Sequence, residues 1–355
     1  MRGSTAGITD GLRGSSRLHY IFLTILDNVL SSLIISPLVV SYWRGTWSLM
    51  DRYVYSGRPR ESGAVSLAIG LVGVLVFTVT QRLHGRILHP ESHRLVYYVL
   101  SRFYTALFGF VCVNSWRGAW MALDTYTGGD APSVAVTTLV SLLLLLASRT
   151  LRNISAPPFA IVTDRYDGYF DVPTMFKASS DDLWMYILDC GFSVCVIGTL
   201  VVFVWRGVWC LLDMYLYPGD MATSAWASLA IGYSLVLVSF GAQPLIKWVV
   251  IRAQGLCRLA AVDLYLVFSF CGTINVWRGF WNLLNVYFIS DRPTLSYWLS
   301  HLLAFMVLVL INSSNSVLVR GVYIDAEEEG EQCVDFPCYY LRLFFQVSQF
   351  GIIKD

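Results

Sequence analysis

Trp43-Arg44-Gly45-Thr46-Trp47-Ser48-Leu49-Met50-Asp51-Arg52-Tyr53 decides the reading of this chain, because it is one of four such stretches. Trp116 to Tyr126, Trp205 to Tyr215 and Trp277 to Tyr287 follow the same pattern, Trp-Arg-Gly-x-Trp-x-x-[Leu/Met]-[Asp/Asn]-x-Tyr. Trp at positions 1 and 5, Leu or Met at 8 and Tyr at 11 recur at i, i+4, i+7 and i+10, which is one stripe of a helix. The spacings between copies are 73, 89 and 72 residues, so each unit is one apolar span, the motif, a short loop and a second span. An insertion around Pro157–Asp182 separates the second unit from the third.

The surrounding composition fits a membrane. Of 355 residues, 56% are hydrophobic and 14% charged, and the mean hydropathy is +0.58, outside the range of an ordinary soluble domain. A formal net charge of +1 offers no basic field for nucleic acid. Eight runs are apolar and long enough to cross a bilayer or nearly so: about Tyr20–Tyr42, Ala64–Thr80, Leu95–Ser115, Val134–Ser148, Leu183–Val204, Ala225–Leu245, Leu259–Val276 and Leu295–Val317. The first contains Asp27 and lacks a small-residue cleavage site, so it reads as a signal anchor. The predicted organisation is a segment 1–19, a first half 20–151 with four spans, a loop 152–182, a second half 183–319 with four spans, and an acidic, amphipathic tail 320–355. The predicted fold is an all-α integral membrane protein of eight transmembrane helices in four two-helix repeats.

The units pair off in the order ABAB. A shift of 162 residues superposes Asp27 on Asp189, Trp43 on Trp205 and Ser66–Gly70 on Ser228–Gly232. A shift of 161 puts Asn114 on Asn275, Asp130 on Asp291 and Asp164 on Asp325. With two spans per unit, all four motifs lie on one membrane face, related by a pseudo-fourfold axis along the membrane normal. Ser66/Gly70 and Ser228/Gly232 read as faces where helices approach closely.

Orientation follows from basic residues. Seventeen of the 25 Lys and Arg fall on the side of the termini, which places both termini in the cytoplasm. The sequons at Asn153 and Asn312 fall on that side and would be silent.

Within the motif, Arg at position 2 and the acid or amide at position 9 lie two turns apart. In a structural reading, Arg44, Arg117, Arg206 and Arg278 pair with Asp51, Asp124, Asp213 and Asn285, each with its own unit or a neighbour, and stack on Trp43, Trp47, Trp116, Trp120, Trp205, Trp209, Trp277 and Trp281. In a functional reading, the four arginines form a cationic ring that selects anions along a central pathway. Three acids face four arginines, leaving one positive charge. Four intramembrane charges, Asp27, Arg102, Asp189 and Asp263, sit at matching depths and suggest salt bridges between spans, with an ion relay or snorkelling as alternatives.

The remaining signals are weaker. His89-Pro-Glu91-Ser-His93 reads as a solvated loop, and no metal centre or cofactor is expected. The acidic run Glu327–Glu331 reads as solvated or facing a basic partner. The segment from Phe336 to Phe345 reads as an amphipathic surface helix, with Cys333 and Cys338 either acylated or buried thiols. The carboxyl-terminal Ile353-Lys354-Asp355 is neither a prenylation box nor an apolar end for a PDZ groove. Nucleophile-elbow, zincin, phosphate-loop and dinucleotide motifs do not occur, so no enzyme is expected.

The four Trp-Arg-Gly-x-Trp segments, with eight spans and cytoplasmic termini, resemble the fuseless family of animal multipass membrane proteins. That resemblance implies a presynaptic plasma-membrane protein that organises the active zone and supports voltage-gated calcium channels and synaptic transmission. Its partners would then be the bilayer and a calcium channel or active-zone protein. A transporter or ion channel with an axial pathway past Asp27, Asp189 and the arginines is the alternative.

Overall fold

The computed structural model describes residues 17–91, 93–343 and 345. The polar segment before residue 17 and the carboxyl-terminal Ile353-Lys354-Asp355 lie outside them. Among the described residues the chain is all-helical, with no strand. In order, the helices are α1 (Arg17–Leu30), α2 (Ser36–Tyr53), α3 (Pro59–Val79), α4 (Gln81–Ile87), α5 (Arg94–Tyr126), α6 (Ala131–Ala147), α7 (Leu183–Phe192), α8 (Thr199–Tyr215), α9 (Met221–Arg252), α10 (Gly255–Tyr287) and α11 (Pro293–Leu310). Their starts follow ordinary capping chemistry. Pro59 and Pro293 open α3 and α11, where the missing N–H costs nothing, while the carboxylates of Asp130, Asp182 and Asp220 accept N–H groups from the first turns of α6, α7 and α9.

α1 runs into α2, and α7 into α8, through π turns at Ser31–Ile35 and Ser193–Gly198. The two turns are related by the same 162-residue shift that relates the two halves of the sequence. Each extra residue re-aims a serine into the protein. Ser31 Oγ donates to the Pro158 carbonyl at 2.5 Å, and Ser193 Oγ accepts from Met175 N at 2.9 Å.

Among the described residues, seven helices are long and apolar enough to cross a membrane, α1 with α2 and α7 with α8 each counting as one continuous helix. The helix Ala131–Ala147 is apolar but has 17 residues. The expected run Leu295–Val317 is shorter than the sequence suggested: α11 ends at Leu310, and Ser314–Val317 forms a separate 3₁₀ turn.

The four motif helices α2, α5, α8 and α10 pack in a ring in that order, α10 closing on α2. A second set lies outside them. The outer helix of each unit packs on the inner helix of the next: α3 on α5, α6 on α8, α9 on α10, and α11 back on α2. The inner and outer helices of one unit are therefore not mutual partners, and α11 closes the circle on α2.

Glycine at motif position 3 makes these contacts possible. A methyl on Gly45 would lie 2.6 Å from Tyr297 O and His301 N, one on Gly118 2.3 Å from Leu67 N, and one on Gly207 1.6 Å from Thr138 Oγ1. Gly70 reciprocates from the outer helix, where a Cβ would fall 2.0 Å from Ser115 N. Lipid supplies no hydrophobic drive between helices, so this close backbone approach contributes to holding the layers together.

The loops are not solvated excursions. Residues 149–182 and 311–343 fold into the space on their side of the motif ring, and Leu151, Ile154, Phe159, Ile161, Tyr169, Val172, Val317, Leu318, Val334 and Cys338 share one buried cluster with the helices. The two segments brace each other symmetrically. Asp325 accepts N–H groups from Leu151 and Arg152 at 2.8 and 2.7 Å, while Asp164 accepts those of Ser314 and Asn315 at 2.9 and 2.8 Å. Each half thus caps the 3₁₀ turn of the other. Asn153, the first sequon, is buried and bonded through both ends of its amide to Tyr323.

Candidate functional site

The motif tryptophans meet on the bundle axis in two layers. Trp43, Trp116, Trp205 and Trp277 form a closed circuit with neighbouring ring centroids 5.2, 5.5, 5.3 and 5.7 Å apart and planes at 71–79°. One helical turn farther on, Trp47, Trp120, Trp209 and Trp281 repeat the circuit at 5.6–6.0 Å and 82–85°. Edge-to-face pairs of this geometry are each worth about 0.5–1.5 kcal/mol beyond their burial. Beneath the first layer the loops form a plug. The indole N–H groups of Trp43, Trp205 and Trp277 donate to the carbonyls of Val317, Ile154 and Pro157 at 2.9, 3.0 and 2.8 Å. The motif tyrosines Tyr53, Tyr126, Tyr215 and Tyr287 are exposed, as rings at a membrane interface would be. The expected single stripe therefore divides into an axial tryptophan pair and an outward tyrosine.

The arginines do not stack on tryptophan. All four are buried, turned away from the axis toward the outer helices, and each is held by the acid or amide of the preceding unit. Arg117 Nε and Nη2 donate to Asp51 Oδ1 at 2.9 and 2.7 Å, Arg206 Nε to Asp124 at 2.9 Å, Arg278 Nε to Asp213 at 2.7 Å, and Arg44 Nε to Asn285 Oδ1 at 2.8 Å. Positions 2 and 9 of one helix are about 10 Å apart along its axis, too far for a buried bond within the unit. The preceding helix in the ring brings its acid level instead.

Serines on the outer helix complete three of the four sites. Arg117 donates to Ser62 Oγ and Ser66 Oγ at 2.6 and 2.5 Å, Arg278 to Ser224 and Ser228 at 2.7 and 2.6 Å, and Arg44 to Ser296 and Ser300 at 3.1 and 2.9 Å. At the fourth, α6 presents buried Val134 and Thr138, the Thr138 hydroxyl bonds back to the Val134 carbonyl, and Arg206 Nη1 has no partner. Sequence reasoning treated Ser66 and Ser228 as packing positions and passed over Ser62, Ser224, Ser296 and Ser300. A Ser-x-x-x-Ser recurring in three outer spans was the signal.

The intramembrane charges do not bridge span to span. The loops meet them, because those segments fill the interior between the spans. Asp27 accepts from Arg342 Nε at 2.7 Å and Leu341 N at 2.6 Å. Asp189 accepts from Thr174 Oγ1, Phe176 N and Ala178 N at 2.7–3.0 Å. Arg102 reaches Asn312 Oδ1 at 2.8 Å and Asp164 at 3.5 Å. Asp263 lies near Asp325 and Arg149, with Oδ1 unbonded. Burial pushes the carboxyls of both Asp164 and Asp325 above the ordinary range, against the pull of Arg102 on the first and of the Arg152 and Leu151 N–H groups on the second.

The acidic run also turns inward. Glu327 pairs with Lys177, and Glu328 with Arg152 at 2.6 Å, so the basic partner is the chain's own loop. The tail is not a surface helix: Phe336, Tyr339 and Leu343 are buried, as are Cys333 and Cys338, and burial drives the Cys338 thiol up to about 12. His89 faces Glu91 at 3.9 Å in a loop, and no group of three metal-capable side chains gathers among the described residues.

A family model, Fuseless, matches residues 22–318, a span that includes all four motifs and the ring they form. The chain belongs to the Fuseless family. No curated relative and no solved structure matches it. For this Fuseless protein, the apolar helices and the family together give a multipass membrane protein.

Proposed function

We propose that this Fuseless protein is a non-catalytic membrane scaffold, and that its work is done through outer and loop-side surfaces rather than by a pathway along its axis. One observation carries the reading: beneath the indoles the axis is blocked by two interlocked loop segments, which hydrogen-bond to three of the four deeper indoles. The functional alternative needed a cationic ring lining a pore. Instead the guanidinium groups face outward, and the acids of the proposed relay are engaged, Asp27 by Arg342 and Asp189 by backbone N–H groups.

Ala131–Ala147 is about 26 Å long at 1.5 Å per residue, enough to cross as an eighth span inside a bundle. With eight spans the repeats stand pseudo-fourfold about the membrane normal, and the basic excess puts both termini and the plug in the cytoplasm. The family points to the presynaptic plasma membrane and to support of a voltage-gated calcium channel in synaptic transmission. Co-expression with such a channel tests this. Calcium current density should rise with the wild-type protein and fall back with Gly118→Leu, which prevents α3 from seating on α5. An unchanged current, with both proteins at the cell surface, would contradict the role.

A further inference from the structure

The two tryptophan layers do not close on each other. They border a half-open cavity of about 200 Å³ lined by Trp43, Trp47, Trp116, Trp120, Trp205, Trp209, Trp277 and Trp281 and by no other residue. Rings set as spokes would bring their edges together on the axis and leave no space there. The edge-to-face circuits set each indole steeply against its neighbours, and the space they leave is bounded by indole on every side. The plug lies behind the deeper layer, in which Trp43, Trp205 and Trp277 are buried and Trp116 is half-buried, while the outer layer is half-buried throughout and forms the mouth.

The dimensions suit a cation. Sides of 5.6–6.0 Å in the outer circuit put opposite centroids about 8 Å apart, so a charge on the axis lies about 4 Å from four ring centroids, within the ~6 Å reach of a cation–π contact. Midway between the layers it lies about 5 Å from all eight. One turn beyond the outer layer stand Asp51, Asp124 and Asp213, whose side chains are 51%, 47% and 50% exposed, while the arginines they hold are 1–3% exposed and turned outward. The four arginines and three aspartates sum to +1. Selection for positive charge therefore rests on the indoles, with the half-exposed carboxylates one turn beyond them along the helices. An inorganic ion would forfeit its hydration shell in an all-aromatic box. A methylated ammonium holds water weakly, and the cavity has the volume for it.

We infer that this eight-tryptophan cup binds one methylated ammonium group, free or as the head of a choline lipid. The site needs a closed floor, as the scaffold reading does, but no conduction.

Equilibrium dialysis of the purified full chain in nanodiscs, with labelled tetramethylammonium, tests it. Saturable one-to-one binding is expected in phosphatidylglycerol discs, at least tenfold stronger than displacement by the neutral isostere 3,3-dimethylbutanol. Weaker binding in phosphatidylcholine discs would identify the lipid head as the occupant, and equal binding in both would identify the free cation. Trp47→Leu and Trp120→Leu should each weaken binding about tenfold and Trp47→Phe less than threefold, with unfolding midpoints measured alongside. Because Trp47→Phe preserves an aromatic wall, it keeps the test sharp if the leucine variants fail to fold. Equal competition by the neutral isostere, or no binding to folded wild-type protein in either lipid, would overturn the assignment. Flux through the same protein in liposomes would refute the closed floor and with it both readings, whereas absent flux with absent binding would refute the cup and leave the scaffold reading standing.

Discussion

Replacing each motif arginine by Met separates the clasp into its parts. Arg117 makes five hydrogen bonds to Asp51, Ser62 and Ser66, all between 2.5 and 3.3 Å, from a fully buried guanidinium. Removing one member of a buried charged pair costs about 3–5 kcal/mol, but Asp51 is half-exposed and can rehydrate, so about 3 kcal/mol is expected for Arg117→Met. Arg278→Met should match it, since Ser224, Ser228 and Asp213 repeat the same set. Arg206 has Asp124 alone and already carries an unpartnered Nη1, a defect worth about 1–3 kcal/mol in the folded state. Arg206→Met should therefore cost no more than about 1 kcal/mol. Asn285→Asp supplies the missing acid to Arg44 and should stabilise by about 0.5–1 kcal/mol, the modest value of a half-exposed pair. Equilibrium unfolding in mixed micelles, followed by tryptophan emission, measures all four differences. Equal costs for Arg206→Met and Arg117→Met, or a destabilising Asn285→Asp, would refute the account of how the units are joined.

Three further outcomes follow from packing, burial and charge. Gly118→Ala should cost about 2 kcal/mol in the same unfolding assay, because its Cβ would meet the Leu67 backbone at 2.3 Å, where neither helix can give way cheaply. In native protein, maleimide and acyl-exchange labelling should mark exposed Cys257 and leave buried Cys333 and Cys338 untouched until the chain is unfolded. For pH, the raised Asp325 contributes stability that is fully present below about pH 4 and is lost as pH rises through its folded value, so wild type should gain on Asp325→Asn as pH falls from 7 to 4. Asp130, held low by Ser133 at the cap of α6, should behave oppositely, wild type losing its advantage over Asp130→Asn below about pH 4. Parallel slopes would contradict the assignment.

What could be read from residues alone was what is local. Helical periodicity placed Trp43 and Trp47 on one face, and repetition gave the motif helices and the family. Two features were not legible. The first is the partner of each arginine, since position 2 looks equally toward its own helix and two neighbours, and only the order of packing in the ring selects the preceding unit. The second is the plug. Leu151, Ile154, Phe159, Ile161 and Val172 have no regular period and sit among prolines and turn residues, so they read as loop, and their burial depends on the space that ring closure creates. A hint was present in Ala156-Pro157-Pro158-Phe159-Ala160-Ile161-Val162, too apolar for a solvated connection, and in the match of Asp164 with Asp325 across the duplication. The charges in the spans were misassigned to one another for the same reason: Asp27 and Asp189 were visible as buried acids, but Arg342 and Thr174, which satisfy them, lie in segments that looked external.

The sealed axis is the central claim, and ion flux through liposomes containing only the purified full chain tests it most directly. The account predicts no flux above that of protein-free vesicles for monovalent cations or chloride at any imposed potential. A saturable flux abolished by Arg44→Ala with Arg206→Ala would contradict it.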